Sequence, residues 1–157
     1  MGIVRGAYHV FQWRQDPEKQ ASAFAQVVTL KDDDLPPVLD IEPVPPAFEP
    51  ITVDPDFIRS LRTCLRAFAA KTHRVPIIFV NVKTFTNREA LIHEFSDYRF
   101  WIADYSGKEP SESWRFWQFA WFGYINGLGR GDVSTFNGSV EDLKAFVRAS
   151  VVPSDSP

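Results

Sequence analysis

Short apolar segments that favour strands alternate with amphipathic segments that favour helices along this 157-residue chain. The strand candidates are residues 3–11, 38–42, 75–80, 100–105, 114–121 and 132–134, and the helix candidates are 16–28, 54–71, 84–95 and 139–147. The length fits one domain. Alternation of buried strands with helices predicts an α/β fold with a largely parallel sheet that forms part of a barrel.

Capping residues and turn-forming residues set the boundaries of these elements. Asp16 and Asp54 (or Asp56) are candidate helix starts, and Ser139 opens a capping-box pattern. Residues 43–55 hold five prolines, which predicts a loop beside the end of the second strand. Residues 123–131 hold four glycines and are predicted to turn the chain.

Two acids end the second strand candidate, which prolines bound on both sides. Because strand side chains alternate faces, Asp40 and Glu42 point the same way, with Cβ atoms roughly 6–7 Å apart. Neighbouring carboxylates at the end of an apolar strand raise one pKa, which makes a general acid that works near neutral pH. The alternative is that both acids are solvated or cap the next loop. Asp104 and Tyr105 also lie at a strand end, where α/β folds place their chemistry, and this favours the functional interpretation.

The composition argues against several classes of protein. The formal net charge is −3 without a basic block, which argues against binding to nucleic acid or electrostatic docking on an anionic membrane. No apolar run approaches the roughly 20 residues of a membrane span, and no signal peptide is visible at the N-terminus.

Ligand-forming residues are sparse, and aromatic residues are abundant. His9, His73 and His93 are too scattered to indicate a metal site, and a single cysteine, Cys64, provides neither a disulfide nor a zinc pair. We therefore expect no cofactor and no metal. Aromatic residues reach 15% and include five Trp, whose flat apolar faces suit sugar rings, whereas most of the Phe residues suit a core.

Six segments spread over nearly the whole chain carry a resemblance to one family. They are 5–11 (RGAYHVF), 35–42 (LPPVLDIE), 75–81 (VPIIFVN), 101–106 (WIADYS), 116–120 (FWQFA) and 132–138 (DVSTFNG). Each segment is weak singly, but six in the family's order are specific. Residues 1–151 thus resemble a glycoside hydrolase family 25 lysozyme, an N-acetylmuramidase, and residues 152–157 are predicted to be a flexible tail.

The resemblance implies an incomplete, TIM-like (β/α) barrel and a glycosidase that acts on peptidoglycan, in an extracellular or cell-wall location. The bond cleaved would be the β-1,4 bond between N-acetylmuramic acid and N-acetylglucosamine. Glu42 matches the general acid/base, and Asp40 would orient the substrate acetamide or stabilise positive charge at the sugar carbon. The substrate-binding residues would be Tyr8, Trp101, Asp104, Tyr105, Trp117, Gln118 and Asp132.

The chain departs from the family's pattern at two places. The family opens with two further strands, the first of which carries another active-site aspartate, and this chain begins at what would be the third strand. Ser134 stands where the family usually has Asn. An open sheet edge beside an apolar interior favours association, so we expect a homodimer or higher assembly, which light scattering at micromolar concentration tests.

Three hypotheses for function remain open from the sequence. They are a muramidase, a glycan-binding module that lacks the full chemistry, and a structural remnant with neither activity. Within the first hypothesis the carboxylate spacing allows retention or inversion, and the substrate acetamide could itself act as the nucleophile.

Overall fold

The structure is a computed structural model that describes residues 3–43 and 49–152. Its elements are β1 (Tyr8–Val10), α1 (Pro17–Val27), β2 (Val38–Ile41), α2 (Pro55–Thr72), β3 (Ile77–Asn81), α3 (Arg88–Glu94), β4 (Arg99–Ala103), β5 (Phe116–Ile125), β6 (Gly129–Phe136) and α4 (Val140–Ala149). The strands form one sheet in the order β1-β2-β3-β4-β5-β6. Neighbours from β1 to β5 are parallel, and only β6 runs antiparallel, against β5. The predicted largely parallel sheet is confirmed.

One face of the sheet, the outer face, packs against helices α1 to α3. Leu39 and Ile41 of β2 are fully buried there, as are their counterparts on the next two strands. The helices supply Phe24, Leu61 and Leu91 to the same core. Because strand side chains alternate, burial of Leu39 and Ile41 on this face turns Asp40 to the opposite one.

The opposite face, the inner face, is covered only in part. Val38, Ile77 and Phe116 pack there with Phe146 of α4, near the amino ends of the parallel strands. The carboxyl ends of the same strands are left without a covering helix among the described residues. The sheet therefore builds its core on one side and leaves half of the other side open to solvent.

Side-chain caps fix the starts of the helices, as the sequence predicts. The Asp16 carboxylate accepts hydrogen bonds from the amides of Glu18 and Lys19, and that of Asp54 accepts one from Phe57. Ser139 and Asp142 form a complete capping box. Each cap satisfies amides that have no partner within the helix.

The predicted boundaries of β1 and α3 shift for identifiable reasons. Strand β1 is shorter than residues 3–11, because Pro36 has no N–H with which to extend the pairing. Helix α3 begins at Arg88 rather than at residue 84, since the amide of Thr86 donates to the Ile51 carbonyl and Asn87 caps the helix.

No helix among the described residues has the length and apolarity of a membrane span.

Parts of two predicted segments lie outside the described residues. Residues 44–48 belong to the predicted proline-rich loop, and residues 153–157 belong to the predicted tail. At the near end of that tail, the amide of Val152 donates to the carbonyl of His73 at 2.9 Å.

The prediction that residues 123–131 turn the chain is wrong in its extent. Strand β5 continues to Ile125 and β6 begins at Gly129, so the connection is only three residues long. Gly127 and Gly129 have positive φ and supply the turn. Gly123 has another reason to be glycine, because a Cβ there would lie 2.2 Å from Cγ2 of Val133 across the hairpin.

We expect Gly123→Ala to lower the free energy of unfolding by about 1–3 kcal/mol, as overpacking does elsewhere. Gly131→Ala is the matched control, since it faces Gly123 in the ladder and has open space at its Cβ position. Urea denaturation of the two variants compares them directly. Equal stabilities would contradict the close contact between Gly123 and Val133.

Candidate active site

A cleft of about 530 Å³ opens on the inner face, where the carboxyl ends of β2 to β4 are uncovered. It crosses the sheet from β1 to β6. Its lining residues are Gly6, Ala7, Tyr8, Leu35, Val38, Asp40, Glu42, Phe79, Trp101, Tyr105, Gln118, Asp132 and Ser134. The charged side chains in this lining are all carboxylates. A second depression, of about 500 Å³, shares Glu42 and extends toward Trp13 and Asp54.

Asp40 holds the deeper position of the two strand-end acids. Its Oδ1 atom is buried and has no hydrogen-bond partner among the described residues. Burial, and then the negative charge of Glu42, raise the pKa of Asp40 from 3.8 to about 7. A buried carboxyl oxygen without a partner is costly, so this site is built to receive a proton or a donor from a ligand.

Glu42 follows on the same face and meets a third acid. Burial, and then the negative charge of Asp132 on β6, raise the pKa of Glu42, while the Asn81 side chain acts in the opposite direction. Asp132 lies 90 residues further along the chain and reaches the site because β6 folds back beside β5. Asp40 and Glu42 therefore keep a proton to higher pH than isolated acids do.

A fixed frame of aromatic and polar side chains surrounds the acids. The indole of Trp101 donates to the Ser134 hydroxyl at 3.1 Å and stacks on Phe116 at 4.7 Å between ring centroids. The amide of buried Gln118 donates to the Tyr105 hydroxyl at 2.8 Å, and burial is the main cause of the raised pKa of that phenol. These contacts hold the Trp101 and Tyr105 rings in set orientations along the cleft wall.

The structure brings most of the sequence-predicted site residues together and places two of them elsewhere. Tyr8, Asp40, Glu42, Trp101, Tyr105, Gln118 and Asp132 line the cleft. Asp104 and Trp117 are absent from its described lining. The Trp117 indole donates to the Asp104 carbonyl at 2.8 Å, and the Asp104 carboxylate accepts from the Ser106 amide. Because their neighbours Tyr105 and Gln118 face the cleft, these two side chains turn away from it.

Phe79, Asn81 and Ser134 belong to the site or adjoin it without being predicted from the sequence. Phe79 lines the cleft, and Asn81 follows it two residues later at the carboxyl end of β3. The rule that singled out Asp40 also applies to Asn81, which is a polar residue at the end of an apolar strand. Ser134 stands out in the sequence only as a departure from the family's pattern, and no sequence signal indicates its bond to Trp101.

Comparison with known families and curated proteins gives one family and a consistent set of relatives. The model of Glycosyl hydrolases family 25 matches residues 1–128. The uncharacterized protein YegX of Escherichia coli (strain K12) is 33% identical over 151 residues, which are 93% of this chain and 53% of that protein. The chain thus spans about half the length of the curated relatives it matches.

Solved structures share the fold. The bacterial lysozyme from Streptomyces coelicolor is 27% identical, with a TM-score of 0.78 over 96% of this chain and 75% of that one. The muramidase from Acremonium alcalophilum is 26% identical, with a TM-score of 0.76 over 94% of this chain and 74% of that one. The sheet is an incomplete, TIM-like barrel, and the predicted fold class is confirmed.

Proposed function

This chain belongs to glycosyl hydrolase family 25, and from that premise we propose that it hydrolyses peptidoglycan at the β-1,4 bond between N-acetylmuramic acid and N-acetylglucosamine. The observation that carries the proposal is the pair of acids with raised pKa on one strand end, inside a cleft walled by aromatic rings. The similar lysozyme and muramidase structures support the same reaction class.

Glu42 is the general acid and base of the proposed reaction. Its protonated carboxyl donates to the glycosidic oxygen while the bond from that oxygen to the sugar C1 breaks, and positive charge develops at C1 and the ring oxygen. The resulting Glu42 carboxylate then takes a proton from the water that attacks C1, which restores the acid. Half-burial and the charge of Asp132 keep a proton available on Glu42 at higher pH than on a solvated glutamate.

Asp40 binds the substrate acetamide beside Glu42 in this proposal. Among the described residues its buried Oδ1 has no hydrogen-bond donor, and the N–H of a sugar acetamide group is a donor of the right kind. Such a bond favours the charged form of Asp40, which in turn favours the protonated form of Glu42 beside it. Substrate binding thereby directs the shared proton to the residue that must deliver it.

A second candidate function is glycan binding without hydrolysis. One observation favours it, since the described cleft gathers three carboxylates whereas the family resemblance implies a further aspartate. The aromatic wall formed by Tyr8, Trp101 and Tyr105 suits sugar rings whether or not a bond is cleaved.

Product analysis separates the two candidates. We expect the purified protein to release soluble muropeptides from peptidoglycan, and borohydride reduction should convert the new reducing ends to muramicitol, detected by mass spectrometry. Glucosaminitol instead would contradict the assigned bond. Sedimentation of the protein with peptidoglycan, without any new reducing end, would select the binding function. The absence of both sedimentation and new reducing ends would rule out both candidate functions.

A further inference from the structure

The outer half of the β5–β6 hairpin carries an exposed aromatic surface beyond the cleft. Phe122 is 57% exposed and Tyr124 is 75% exposed. The guanidinium carbon of Arg130 lies 4.3 Å from the centroid of the Phe122 ring, and Arg130 is paired directly with Tyr124 in the ladder. We call Phe122, Tyr124 and Arg130 the hairpin platform. Contiguous exposed apolar surface rimmed by polar groups marks interaction sites.

The hairpin platform continues the wall of the cleft. Strand β6 has regular alternation, because the register irregularities of this hairpin add their extra residues to β5. Ser134 and Asp132 line the cleft, so Arg130, two residues further along, faces the same side. The strand rise places Arg130 roughly 6–7 Å beyond Asp132, about the length of one sugar ring.

The charge of the hairpin platform is opposite to that of the cleft. The charged side chains among the described residues of the cleft lining are all carboxylates, which repel anionic groups of a ligand. No carboxylate among the described residues lies within 4 Å of the Arg130 guanidinium. The Arg130 guanidinium therefore keeps its donors available, and they match a carboxylate in geometry and charge.

We propose that the hairpin platform is a subsite for a carboxylate-bearing muramic acid residue one sugar beyond the cleft acids, an inference that rests on the proposed function. The aromatic rings contact the apolar face of the sugar, and Arg130 binds the carboxylate. The carboxylate is either the lactyl group of a peptide-free muramic acid or a carboxylate of the attached peptide. A neutral chitin chain has the same sugar backbone but offers nothing to Arg130.

The test measures binding in a Glu42→Gln background, which prevents turnover. The probes are a peptide-free tetrasaccharide of alternating N-acetylglucosamine and N-acetylmuramic acid, its peptide-bearing counterpart, and chitotetraose. We expect Arg130→Gln to weaken binding of the carboxylated probes about three- to tenfold, as expected for one exposed charge-assisted contact, and to leave chitotetraose affinity unchanged. A loss confined to the peptide-bearing probe assigns the carboxylate to the peptide, and a loss confined to the peptide-free probe assigns it to the lactyl group. A loss with both probes shows that Arg130 binds either carboxylate.

Matched variants make the outcome specific. Arg130→Lys should retain most of the affinity, and Arg148→Gln, an exposed residue on α4, removes the same charge without an expected effect. Equal weakening for chitotetraose and the carboxylated probes, or no weakening, would overturn the inference. A self-association of the chain that Phe122→Ser dissolves would assign the surface to a second copy instead. If the Glu42→Gln protein binds none of the three probes, the proposed function itself fails and the inference falls with it.

Discussion

Glu42→Gln is expected to reduce the release of reducing muramic acid ends by about 100- to 10,000-fold, the usual contribution of a general acid. Glutamine keeps the size and hydrogen-bonding shape of the side chain but cannot deliver a proton to the glycosidic oxygen. The loss should appear in kcat, because the cleft walls that hold the sugar are unchanged. A reducing-end assay over a range of peptidoglycan concentrations gives both kinetic constants.

Glu109→Gln is a suitable control for the Glu42 variant. Glu109 is exposed and lies outside the described cleft lining, so the same chemical change there should leave turnover intact. The Glu42→Gln protein should also still sediment with peptidoglycan. If its turnover matched that of the unaltered chain, the assignment of Glu42 as the acid would be withdrawn.

Asp40→Asn is expected to lower turnover and to raise stability at alkaline pH. The pKa of Asp40 is raised from 3.8 to about 7 in the folded chain, so between these values the folded state holds a proton that the unfolded state has lost. The stability contributed by this proton is fully present below about pH 4 and is lost as the pH rises through about 7. Asparagine cannot ionise and escapes the loss.

Urea denaturation at two pH values measures this effect. At pH 8 we expect the Asp40→Asn protein to be more stable than the unaltered chain by about 1–3 kcal/mol, a range reduced for the partial solvent exposure of the side chain. At pH 4 the difference should shrink toward zero. A difference that is the same at both pH values would show that Asp40 does not titrate between them. Greater stability together with lower turnover is the expected behaviour of a residue kept for chemistry.

Residues with a local signal could be predicted from the sequence. Alternation along residues 38–42 was enough to place Asp40 and Glu42 on one face, because the apolar residues between them must reach the core. The helix starts at Asp16, Asp54 and Ser139 followed from short-range capping chemistry. In each case the deciding interactions span only a few residues.

Residues whose position depends on distant parts of the chain could not be predicted from local pattern. Only the family resemblance assigns Asp132 to the site, since its proximity to Glu42 depends on the whole sheet between them. The local sequence does not distinguish Trp117 from Gln118, or Asp104 from Tyr105, as a cleft residue. Only the register of β4 and β5 decides which of these side chains faces the cleft. Gly123 resembles a turn residue in the sequence, which does not show that the Val133 side chain reaches it from across the hairpin.

The two faces of the sheet have a consequence for how such a protein can evolve. Leu39 and Ile41 hold the helices on the outer face, whereas Asp40 and Glu42 contribute little to that core. Drift at the two acidic positions can therefore remove the proposed bond cleavage while the chain still folds and the aromatic wall of the cleft persists. A single substitution at Glu42 would then be enough to convert the proposed hydrolase into a sugar-binding protein of the same fold.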